Sequence, residues 1–166
     1  MIGAPRAGTA IAVAAFVALT ATACTDREEP RKPMLTHAQA KERVEQLARE
    51  AGEALDPKPR LEQGDAGDAP CSGPDDDQET GEVMIENSYW LRGIEFSRNP
   101  EFFEQFTRYW KGKGYRIARE DGDPASTKDI RSIVVYDPDT DFNVSLIQGV
   151  GGQLSVTAQS SCVPEP

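Results

Sequence analysis

Residues 82–110 read EVMIENSYWLRGIEFSRNPEFFEQFTRYW. Within this stretch the apolar period changes from two to about 3.6 residues. Val83, Ile85, Tyr89 and Leu91 share one side of an extended chain, with Asn87 interrupting them. Met84, Glu86, Ser88, Trp90 and Arg92 take the other side. That alternation predicts a half-buried strand. Past Arg98 the apolar residues Phe102, Phe103, Phe106, Tyr109 and Trp110 recur at helical spacing. Asn99 stands as the expected cap, Pro100 falls at the first helical position, and Gly112 and Gly114 follow. A strand feeding an aromatic helix calls for a sheet with that helix on one face.

The flanking sequence supplies the rest of the sheet. Tyr115–Arg119, the nearly all-apolar Ile130–Tyr136, Phe142–Gln148 and Leu154–Gln159 read as four further strands, with Ile130–Tyr136 central. Asp137-Pro138-Asp139-Thr140 and Gly149-Val150-Gly151-Gly152 supply turns, and such short links force antiparallel pairing. Gln148 is grouped with the polar side of its strand, alongside Asn143 and Ser145.

On the amino-terminal side, Thr36 with Gln39 forms a capping box. The helix after it carries Ala40, Val44, Leu47, Ala48, Ala51 and Leu55 on one stripe, and Pro57 ends it. Residues 56–81 contain four prolines and few large apolar side chains, and read as a long loop. The expected fold is α+β: a single antiparallel sheet of about five strands packed against two helices.

The chain begins with a different kind of signal. Arg6 precedes an apolar run from Ala10 to Leu19, and the small residues Ala21 and Ala23 precede Cys24. These are the three regions of an export signal, and the run is shorter than the roughly 20 apolar residues a membrane-spanning helix needs. Leu19–Cys24, LTATAC, resembles the lipobox of a bacterial lipoprotein precursor. The resemblance implies cleavage before Cys24, a lipid such as palmitate on that residue, and anchoring at the extracytoplasmic face of the cell membrane. Ala21-Thr22-Ala23 also fits ordinary secretory cleavage, which would leave Cys24 as a thiol.

Cysteine parity favours the lipid. Three cysteines in an oxidising compartment leave one thiol over, unless Cys24 is acylated and Cys71 pairs with Cys162. The resulting organisation is a signal peptide over residues 1–23, a lipidated tether over 24–35 and one domain over 36–166.

Charge narrows the partners. The net charge of −10 at pH 7 becomes more negative once the leader with Arg6 is removed. Nucleic acid is therefore excluded as a partner, and contact with the membrane runs through the lipid alone. No cofactor is expected.

No catalytic or metal site is assigned. His37 is the single histidine and lies in a first helical turn, without a Gly-x-Ser-x-Gly elbow. Asp137, Asp139 and Asp141 imitate the start of a calcium loop, but the sixth and twelfth positions hold Phe142 and Gln148, so a hairpin turn is expected. Asp75-Asp76-Asp77 with Glu79 reads as solvated loop. The remaining candidates are Met84 and Trp90, on the strand face away from Ile85 and Tyr89, where an exposed aromatic would mark a binding surface.

The function expected is a membrane-anchored envelope lipoprotein that binds an envelope protein, a peptide or a small ligand. A hydrolase using paired carboxylates and a structural or inhibitory envelope protein are the alternatives.

Overall fold

A computed structural model describes residues 35–72, 79–123 and 125–166 of the chain, with Glu79 placed by its backbone alone. The elements are α1 (His37–Glu53), β1 (Arg60–Ser72), β2 (Glu79–Arg92), a single 3₁₀ turn (Phe96–Arg98), α2 (Asn99–Gly112), β3 (Arg116–Asp121), β4 (Arg131–Tyr136), β5 (Asn143–Gln148), β6 (Leu154–Gln159) and β7 (Val163–Pro164). The class is α+β, as expected. The sheet, however, has seven strands rather than about five, running β1-β2-β6-β5-β4-β3 with β7 also on β2, and every pairing is antiparallel.

The largest correction concerns residues 56–81. Arg60–Ser72 is a strand, hydrogen-bonded to β2 from Arg60 opposite Arg92 to Ser72 opposite Glu79. It lacks an apolar alternation because, among the described residues, it is an edge strand paired on one side only. Two register shifts, between Gln63 and Ala66 and between Pro70 and Ser72, accommodate its glycines and proline.

Near its far end β1 is fixed covalently. Cys71 and Cys162 form a disulfide with Cα atoms 6.2 Å apart and 91 residues between them in sequence. Pro70 and Val163 both pair with Val83, one on each side of β2, so the bond staples together the two neighbours of that strand.

Both helices lie on one face. α1 starts from the expected box: Thr36 Oγ1 accepts from the Gln39 amide at 3.3 Å, and Gln39 Oε1 accepts from the Thr36 amide at 3.0 Å. Its buried stripe of Ala40, Val44, Leu47, Ala48 and Ala51 packs on β2 and β6, and α2 covers β3, β4 and β5. Phe102, Phe103, Phe106 and Trp110 fill the space under α2. In each of β4, β5 and β6 every second side chain is buried, from Ile133 and Val135 through Val144 and Leu146 to Val156 and Ala158. β4 is interior but sits one place from the β3 edge, and β5 and β6 occupy the centre.

Two polar residues take places the sequence did not assign them. Asn99 is not the cap of α2: Arg98 occupies that position without a side-chain bond, and Asn99 lies buried in the first turn. Its Nδ2 donates to Gln148 Oε1 and to the Gly152 carbonyl, both at 2.7 Å. Gln148, grouped by sequence with the polar side of β5, is fully buried and also donates to the Asp129 carbonyl at 2.6 Å. Together they lock the start of α2 to the β5–β6 turn and to the chain before β4, with a hydrogen bond for each buried amide nitrogen.

Candidate binding site

Between α1 and the edge strand β1 lies a cavity of about 550 Å³. Beside it β1 changes register between Gln63 and Ala66, and Ala66 stands opposite Asn87 of β2, both of which line the space. Its lining is mainly apolar: Val44 and Ala38 of α1, Ile85 of β2 and Ala66 of β1 contribute. Gly67 faces open space, with no atom within 4 Å of where a Cβ would stand.

Charged groups ring this apolar chamber. Glu42, Glu45 and Lys41 come from α1 and Asp68 from β1. Glu86 also borders it, but its carboxylate accepts from Gln159, its cross-strand partner. Glu45 is held by three donors: the Tyr89 hydroxyl at 2.5 Å, the Asn87 amide and the Arg49 guanidinium. Asn87 in turn accepts from Gln63 Nε2 at 2.5 Å. Burial pushes the Glu45 carboxyl up, but the hydrogen bonds from Tyr89 and Arg49 outweigh it and hold the group below the usual glutamate value. The same burial and the Glu45 contact push the Tyr89 phenol up. Glu45 is therefore a fixed negative charge at neutral pH.

His37 Nε2 lies 2.8 Å from Asp68 Oδ2, so the lone histidine joins the first turn of α1 to β1. The apolar interruption at Asn87 was the one sequence sign of this site. Asp68 and Ala66 were hidden by the loop reading of residues 56–81.

The sequence-derived candidates lie elsewhere. Met84 and Trp90 are half-buried on the sheet face away from the helices, opposite Ala69 and Ser155 respectively. The Arg92 guanidinium lies 5.5 Å from the centre of the Trp90 ring. In the row from Trp90 the neighbours are Ser155, Ile147, Ser132 and Asp121, so the aromatic stands in a largely polar surface. Cys71 and Cys162 are joined as described. Cys24 lies outside the described residues, as do Asp75, Asp76 and Asp77.

The aspartates after β4 form a turn. Asp137 Oδ1 accepts from the Asp139 amide and Oδ2 from the Thr140 hydroxyl, each at 2.9 Å, and Asp141 adopts φ 60°. Among the described residues no group of three or more His, Cys, Asp and Glu side chains is placed to hold a metal ion. No described helix is long and apolar enough to cross a membrane.

Fold and site together define a two-layer α+β domain, with one antiparallel sheet under two helices and a cavity at the join of helix and edge strand. Comparison with family models, with curated proteins and with solved structures finds no match for this chain.

Proposed function

We propose that the chain is an exported bacterial lipoprotein, anchored through Cys24 at the extracytoplasmic face of the cell membrane, whose domain is a non-catalytic binding module of the envelope. The cavity between α1 and β1 carries the binding half of this reading. A concave, mainly apolar space with a few fixed polar groups is the usual form of a small-ligand site. Glu45, held below the usual glutamate value, is unsuited to act as a general acid, which needs its pKa raised toward neutrality. The face bearing Met84 and Trp90 offers a separate, flatter surface for an envelope protein or peptide.

The disulfide supports the compartment. Such bonds persist in oxidising surroundings, and with Cys71 and Cys162 joined the remaining cysteine is Cys24. Acylation contributes about 0.8 kcal/mol per buried methylene, so two or more chains hold a domain at the membrane without a spanning helix.

The test is metabolic labelling with a fatty-acid analogue in a bacterial host. The wild-type chain retains the label through denaturing purification and fractionates with membranes, and Cys24→Ala carries none. Equal release of both chains into the medium overturns the anchor.

A further inference from the structure

The electrostatics of the cavity deepen this reading, on which the following rests. The chamber combines a mainly apolar lining with carboxylates from two different elements, Glu42 on α1 and Asp68 on β1. Glu45 is engaged by Tyr89, Asn87 and Arg49, and Asp68 gives Oδ2 to His37. Among the described residues, Lys41 is the one lysine or arginine lining the chamber. The chain around it carries a net charge of −10, so its long-range field draws cations and turns anions away.

We infer that the cavity between α1 and β1 binds an alkylammonium group: a primary amine carried on a short aliphatic stem. The stem lies along the exposed Ala38, Ala66 and Gly67, above the buried Val44 and Ile85, where it displaces water from apolar surface. The ammonium stays beside the exposed Glu42 and Asp68, partly hydrated, so neither ion is stripped of solvent at full cost. A carboxylate on the same stem would meet those two groups and the negative field of the whole domain. An ammonium without a stem would leave the apolar lining at Ala38 and Ala66 wet.

Three probes separate these contributions: n-hexylammonium, methylammonium and hexanoate. Each is titrated into the full chain in a non-ionic detergent, with the disulfide intact, while the backbone amide resonances of Ala38, Ala66 and Gly67 are followed. The expected result is saturable shifts with n-hexylammonium, an affinity at least tenfold above that of either other probe, and weakening as salt is raised. Ala66→Leu, which fills the chamber from an exposed strand position, lowers that affinity at least tenfold. Glu42→Gln combined with Asp68→Asn lowers it about as much, bringing n-hexylammonium close to hexanoate.

Tight binding of hexanoate at the same amides overturns the amine class and leaves the binding module standing. Wild-type affinity in Ala66→Leu removes the chamber as the site. No saturable shift with any of the three probes overturns the inference, whereas the binding reading fails only if the Met84 and Trp90 face is silent as well, and fatty-acid labelling reports on the anchor independently.

Discussion

The Tyr89 hydroxyl donates to Glu45 across 2.5 Å, joining β2 to α1 at the edge of the cavity. Tyr89 is buried and its ring carries the Arg49 guanidinium 5.0 Å from its centre. Removing only the hydroxyl, as Tyr89→Phe, keeps the packing and takes one donor from a partly buried carboxylate. The expected cost is about 1 to 2 kcal/mol, read as a lower midpoint in urea with an unchanged slope. An unchanged midpoint would show that the hydroxyl–carboxylate contact contributes nothing net.

Acid should weaken the fold through two glutamates. Glu45 is held below the ordinary value of 4.5 as described; for Glu50, burial raises the pKa but hydrogen bonds from Lys113 and Tyr109 more than offset it. A carboxylate whose folded pKa is depressed contributes stability that is present above its unfolded pKa and is lost as pH falls through the folded one. Thermal midpoints should stay flat from neutrality down to about pH 5 and fall below about pH 4.5. The Glu45→Gln, Glu50→Gln double variant should be less stable at pH 7 and show a shallower acid fall. At the other extreme Tyr89 and Tyr109 both have raised values, so their contribution is lost as pH rises past about 10.

Reduction should cost more than any single hydrogen bond. The Cys71–Cys162 bond closes a separation of 91 residues. Constraining the unfolded chain to that extent contributes about 4 to 5 kcal/mol, an upper figure that neglects changes in the native state. Cys71→Ser with Cys162→Ser should lower the thermal midpoint by roughly 10 °C or more, and a reducing agent should do the same to the wild type. An equal midpoint with and without reductant would contradict the role given to the staple.

The lock at the start of α2 gives a fourth expectation. Asn99→Ala removes the donor shared by Gln148 and the Gly152 carbonyl in a buried setting, at an expected cost of about 2 to 3 kcal/mol. Gly152→Ala should be at least as damaging, for two reasons. Its φ is 91°, and an added Cβ would lie 2.5 Å from the Thr127 carbonyl oxygen. Urea denaturation of the two variants checks both.

The half of the molecule built on regular periods was legible in the sequence. The capping box at Thr36, the stripe of α1, the aromatic stripe of α2 and the alternations of β2, β5 and β6 all follow from side-chain spacing, because each element buries one face. β1 was illegible for the opposite reason: an edge strand of Gly, Asp, Glu and Pro residues is specified by its pairing with β2, a long-range property that leaves no local period. Since the cavity has β1 as one wall, the site was lost with it, and only Asn87 betrayed that the apolar face of β2 was broken there. Asn99 and Gln148 misled because their positions suit a cap and a polar strand face, while the tertiary structure uses their amides inside the core.

The fates of Cys24, Cys71 and Cys162 decide anchor and compartment together, and intact-mass analysis of protein taken from membranes of the producing bacterium reads all three in one spectrum. The predicted species begins at Cys24, carries diacylglycerol in thioether linkage, and lacks the two hydrogens removed when Cys71 and Cys162 are joined. A chain that retains its leader, an unmodified Cys24, or reduced sulfurs at Cys71 and Cys162 would contradict it.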